Sequence, residues 1–174
     1  MNYSQIHLAL THVPVVLSIV GLIVLALAMF KRNDTLNKTA FYFLIFAGLF
    51  SIPVFLTGEG AEEAVEHLPG VSESIIESHE EFAKLAFSVV GVAGIFSVAA
   101  LVFYNSIRIS RLLKPLVLLL SLTSASLMTV TAHFGGQVRH TEIRSGATVE
   151  TGGKTSNDVQ SNASAGIDQQ EFKK

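Results

Sequence analysis

Cysteine is missing from the sequence, and so is tryptophan. The first absence excludes disulfides, thiolate metal sites, iron–sulfur ligation and covalent c-type haem attachment. The second leaves anchoring at a membrane interface to Tyr3, Tyr42, Tyr104 and the basic side chains. Charge is scarce too: charged residues make up 15% of the 174 positions, against about 25% in ordinary soluble domains. The net charge of −2 supplies no basic field, so nucleic acid is not an expected partner. Apolar residues fill 49% of the chain instead, which makes lipid the expected solvent.

Four apolar stretches stand out, at about residues 5–30, 39–57, 80–104 and 112–134. Each approaches or exceeds the ~20 residues that cross a hydrocarbon core. The second is the shortest and contains Pro53, which membrane helices tolerate when neighbours satisfy the freed carbonyl. The first is expected to be a retained helix rather than a signal peptide. It has no basic n-region, holds His7 and His12 where that region would be, and is followed by Lys31 and Arg32.

Loop charge sets the orientation. Lys31, Arg32 and Lys38 separate the first two spans, and Arg108, Arg111 and Lys114 separate the last two, whereas residues 58–81 contain eight glutamates and no lysine or arginine. Positive loops mark the cytoplasmic side, so both termini and the acidic loop are expected outside. Within that loop Ala61–Leu68 reads as a short interfacial helix, and Ser74 with Glu77 as a capping box opening the third span. No internal repeat is apparent. The fold expected is all-α: an integral membrane four-helix bundle over residues 1–144. The Gly-, Ser-, Thr- and Asn-rich residues 145–174 read as a disordered external tail.

Small residues recur along each span at a spacing near 3.5. The seams read His7, Thr11, Pro14, Ser18, Gly21, Leu25, Ala28; then Ala40, Leu44, Ala47, Ser51, Val54, Gly58; then His79, Ala83, Ala86, Val90, Ala93, Ser97, Ala100; and, backwards, His133, Thr129, Ser126, Leu122, Leu119, Pro115. Along most of their length such seams mean helix packing, because small residues let backbones approach in lipid. Their outer ends differ: three finish in histidine and the fourth in Gly58, so His7, His79 and His133 are expected to converge there. His12 is turned away from the first seam and set about 7.5 Å deeper, where an imidazole should meet protein or a cofactor rather than lipid. His140 follows Gly135-Gly136, a pair expected to break the helix and let backbone pass close to a flat group. His67, among the loop glutamates, is expected to be solvated and is set aside.

Any one imidazole near an interface is ordinarily hydrogen-bonded and silent; several on one side of the membrane ask for a ligand. Bundle cores bind cofactors through side chains from facing helices. Neutral imidazoles lined by small residues suit bis-histidine b-type haem. Copper, zinc or iron bound directly is the competing use, with Glu80 and Glu81 placed to orient His79. No nucleophile, phosphate-loop or paired-carboxylate motif supports catalysis.

The run Ile6-His7-Leu8-Ala9-Leu10-Thr11-His12-Val13-Pro14 resembles the H-P-x-x-x-H-F-P opening of domain-of-unknown-function family 2231, bacterial four-helix membrane proteins. His79 resembles that family's central histidine, and Thr131-Ala132-His133-Phe134-Gly135-Gly136-Gln137-Val138-Arg139-His140 resembles the T-A-H-x-G-G-x-L-T-H close of a subgroup. The likeness spans about residues 5–142. Leu8 stands where the family has proline, Val13 where it has phenylalanine and Thr141 where it often has glycine, so the histidines match while their surroundings differ. Members of that family are found joined to c-type cytochrome or Rieske domains, which implies a redox role with haem and a functional set of His7, His12, His79, His133 and His140. It also implies a bacterial inner membrane with the histidines and tail on the periplasmic side.

The leading expectation is a b-type cytochrome-like electron-transfer subunit rather than a catalyst. One or two haems b would be held by those five histidines, with Gly58, Gly135 and Gly136 beside them. His7, His79 and His133 are the favoured core ligands, and His12 with His140 the second pair. The acidic loop would dock a basic soluble electron carrier such as a c-type cytochrome, with a Rieske protein the other candidate partner. The alternatives are a membrane protein that binds or handles a non-haem metal through the same histidines, and a cofactor-free anchor of a respiratory complex.

Overall fold

The computed structural model describes residues 3–139. His140, the tail beyond residue 144 and the boundary assigned before it lie outside the described residues. Four long helices, α1 (Tyr3–Lys31), α2 (Asp34–Leu56), α4 (Glu73–Val102) and α5 (Ile107–Arg139), are joined in order, with the short α3 (Gly58–Glu63) between α2 and α4. All four long helices have the length and apolar content to cross a membrane, and the chain is a four-span membrane protein.

Each span is longer than its apolar run, because polar residues at helix ends extend into the headgroup region. The Asn33 side chain accepts from the Leu36 amide at 3.0 Å and starts α2 five residues before the expected position, with Asp34 favourably placed in its first turn. The chain turns from α1 to α2 through Arg32, which holds a left-handed φ of 52°. The expected capping box does not form. Ser72 is the N-cap of α4 and bonds Ser74 at 3.0 Å, side chain to side chain, without capping an amide. The interfacial helix falls at Gly58–Glu63, ahead of the Ala61–Leu68 expected; the Thr57 carbonyl accepts from Ala61 and starts it there.

Packed neighbours are α1 with α2, α2 with α4, α4 with α5 and α5 with α1, so α1 faces α4 and α2 faces α5 across the bundle. At the end carrying the basic loops the core is bulky: Leu25, Phe41, Leu44 and Val117 are fully buried together. Toward the other end it turns small, with Ala47, Ala86 and Val90. There α2 and α4 come into backbone contact. A Cβ on Gly48 would lie 3.3 Å from the Val90 carbonyl, and one on Gly94 3.5 Å from the Leu44 carbonyl. Contact of this kind is what holds helices together where lipid removes the hydrophobic drive.

Three of the four seams are the buried faces. Pro14, Ser18, Gly21, Leu25 and Ala28 of α1, Ala40, Leu44, Ala47 and Ser51 of α2, and Ala86, Val90, Ala93, Ser97 and Ala100 of α4 are all buried. The fourth is corrected. In α5 the buried residues are Ser110, Val117, Ser121, Ser124, Ala125 and Met128, while Leu119 and Leu122 are 61% and 52% exposed. Leucine gains nothing by leaving lipid for protein, whereas serine and alanine let the helix approach its neighbours. Anchoring the seam on His133 turned the helix to the wrong side.

Candidate functional site

His7, near the start of α1, and His79, in the second turn of α4, lie at the small-residue end of the bundle. His7 Nδ1 is 3.0 Å from the Val54 carbonyl and 3.3 Å from Thr57 Oγ1, both on the end of α2. His79 Nδ1 is 2.9 Å from the Thr131 carbonyl of α5. A carbonyl oxygen only accepts, so each ring donates from Nδ1–H. A neutral imidazole protonated there keeps its Nε2 lone pair for another partner. Both rings are half-buried.

Each ring also rests near a glycine. A Cβ on Gly58 would lie 3.8 Å from His7 Cε1, and one on Gly135 only 3.0 Å from His79 Cε1 and 3.2 Å from its Nδ1. The flat group against Gly135 is therefore the His79 imidazole. Gly135-Gly136 does not break the helix: α5 runs through both to Arg139. Two stacked phenylalanine pairs, Phe55 with Phe87 at 4.4 Å and Phe82 with Phe134 at 5.4 Å between centroids, brace α4 against α2 and α5 on either side.

Three further histidines among the described residues stand apart. His133 is exposed, because the inward face of α5 carries Thr131 and Gly135 instead; its Nε2 lies 2.6 Å from Gln137 Nε2. Of the three histidines expected to converge, His133 is exposed, while His7 and His79 are half-buried. His12 faces outward, and its own helix meets its polarity: Nδ1–H donates to the Leu8 carbonyl at 3.1 Å. His67 is fully outward and contacts Glu66 at 3.2 Å. No group of three or more histidines and carboxylates able to hold a metal ion occurs among the described residues.

Glutamates crowd the same end. Glu80 bonds Lys84 at 2.8 Å rather than His79. Burial, with the Glu80 and Glu66 carboxylates nearby, pushes the Glu62 carboxyl above its ordinary range. Sequence reasoning missed the tethering groups, since Val54 and Thr131 act through backbone carbonyls that no residue type advertises. Their one signal is position: each lies four residues, one helical turn, before a singled-out glycine.

The model of the family described as "Predicted membrane protein (DUF2231)" matches residues 4–143, and the chain belongs to that family. No curated protein and no solved structure matches it.

Proposed function

We propose that this membrane protein is a b-type cytochrome-like electron-transfer subunit, with haem held by histidines at the glutamate-rich end of the bundle. One observation carries the reading: His7 and His79, on facing helices, are both tethered through Nδ1 to backbone carbonyls, leaving Nε2 as donor. Metal-ligating histidines characteristically donate their other ring N–H to a carbonyl or carboxylate, which fixes the tautomer and raises basicity.

The donor set fits haem better than a bare ion. A porphyrin supplies four nitrogens to its iron, so two imidazoles complete the shell. A structural zinc site wants four protein ligands and a catalytic one three. When bound, haem supplies a reversible one-electron iron couple; the protein's residues fix the two imidazoles and keep the glutamates nearby. That acidic surface suits a basic soluble electron carrier, because complementary charge raises encounter rates. By the loop-charge rule this face is the non-cytoplasmic one, which in the bacterial inner membrane that the family resemblance implies would be the periplasmic side. A c-type cytochrome is the partner class this fits, and a Rieske protein the second.

The test is an absorption spectrum of the detergent-purified protein, oxidised and dithionite-reduced, with metal analysis of the same sample. A Soret band with sharp reduced α and β bands is expected. A colourless protein from haem-replete cells would overturn the reading; stoichiometric copper, zinc or iron would then favour direct metal binding, and its absence a structural anchor.

A further inference from the structure

The two helical hairpins, α1–α2 and α4–α5, follow one plan. His7 corresponds to His79, and the buried residues of α1 and α4 then pair at a constant shift of seventy-two positions: Pro14 with Ala86, Ser18 with Val90, Gly21 with Ala93, Leu25 with Ser97 and Ala28 with Ala100. The second helices pair at a constant shift of seventy-seven: Ala40 with Val117, Leu44 with Ser121, Ala47 with Ser124 and Ser51 with Met128. The same shift takes the Val54 carbonyl to the Thr131 carbonyl and Gly58 to Gly135, so tether and neighbouring glycine recur with the histidine. Packing obeys the same relation. Exchanging the hairpins turns the α2–α4 contact into α5–α1, while α1 and α4 change places across the bundle. The residue types differ at almost every pair, which is why the repeat is not apparent in the sequence.

A twofold relation constrains a site at the bundle's end. A group lying on the axis meets equivalent donors from both halves, and His7 and His79 occupy equivalent positions. His12 and His133 are not. The position equivalent to His12 is Lys84, and the position equivalent to His133 is Leu56. Both of those histidines also face away from the bundle.

We infer that His7 and His79 are the paired axial ligands of a single iron tetrapyrrole on the bundle's pseudo-twofold axis, each hairpin contributing one Nε2. This assignment rests on the cytochrome reading and narrows it from the four candidate histidines among the described residues to two, and from one or two haems to one. Gly58 and Gly135, with the Val54 and Thr131 carbonyls, are the matched positioning elements.

The experiment uses the full chain purified with its haem, as wild type and as His7→Met, His79→Met, His12→Ala and His133→Ala. Methionine keeps a ligand in place and avoids losing the protein to misfolding; gel filtration and circular dichroism check each variant. Each methionine variant is expected to keep a haem with an altered reduced α band and a raised midpoint potential, since exchanging one histidine for methionine favours ferrous iron. His12→Ala and His133→Ala are expected to match the wild-type spectrum and potential. A folded methionine variant with unchanged spectrum and potential would overturn the assignment, as would loss of the low-spin spectrum in either alanine variant. Both of those results leave the cytochrome reading standing; a wild-type protein without haem overturns both together.

Discussion

Gly135 leaves little room for a side chain. A methyl group there would stand 3.0 Å from His79 Cε1 and 3.2 Å from Nδ1, and the ring cannot swing away without lengthening its 2.9 Å bond to Thr131. At Gly58 the corresponding gap is 3.8 Å, an ordinary contact. Gly135→Ala is therefore expected to be less stable than Gly58→Ala by about 1–2 kcal/mol, the range of modest overpacking, measured by thermal unfolding in one detergent. Equal stabilities would mean that the ring does not lean on position 135. The core offers a test of opposite sign. Ser18 is fully buried, and its hydroxyl has no hydrogen-bond partner among the described residues. A buried hydroxyl without a partner costs about 1–3 kcal/mol on the evidence of protein mutants. Ser18→Ala should stabilise the bundle by about 1 kcal/mol, whereas Ser97→Ala, which gives up a 2.7 Å bond to the Ala93 carbonyl, should not; a Ser18→Ala protein that unfolds earlier than wild type refutes this.

At the basic end the elements are tied by polar contacts rather than by small residues. Tyr104, just past α4, donates its hydroxyl to Asp34 Oδ1 at 2.5 Å, and Asp34 lies 3.9 Å from Lys114 of α5. The Lys38 and Lys114 ammonium groups sit 4.8 and 4.5 Å from the Tyr104 ring centre. Three long helices thus meet at one phenol, beside an open cleft of about 350 Å³. Burial and the Asp34 carboxylate push the Tyr104 hydroxyl up from 10.0 to about 12. The folded state holds this proton more tightly than the unfolded chain does. The resulting stability is complete below pH 10 and is lost as pH rises toward 12. Tyr104→Phe should lower stability at neutral pH by about 1 kcal/mol, a typical net hydrogen bond, and should abolish the fall above pH 10. A variant retaining the alkaline fall would place its origin elsewhere.

Legibility followed the same division. Three seams could be read because their small residues share a face with His7, Gly58 and His79. In α5 the histidine and the small residues disagree, and in lipid the small residues decide: Ser121 and Ser124 face in, His133 faces out. The Tyr104 knot was not foreseen. Asp34 and Tyr104 lie seventy positions apart, and Tyr104 reads in the sequence only as an interface anchor.

For the described bundle, the repeat sets two histidines apart from the others. Two hairpins in the same orientation each place one carbonyl-tethered histidine at the shared end, His7 and His79, whereas His12 and His133 have no histidine counterpart. Four spans and family membership were legible from apolar runs and short motifs; the pairing was not, because it depends on carbonyls and on a symmetry whose paired residues differ in type. Eight glutamates of residues 58–81 lie at this end and six lysines and arginines flank the other, so the described bundle is polarised along its axis.

The central claim is one site with two ligands, and the ratio of haem to protein tests it most directly. Haem extracted from the purified chain and quantified as its pyridine complex, against protein measured by quantitative amino-acid analysis, is predicted to approach one per chain. A ratio near two would contradict the single axial site, and a ratio near zero after expression with ample haem would contradict the cytochrome reading itself.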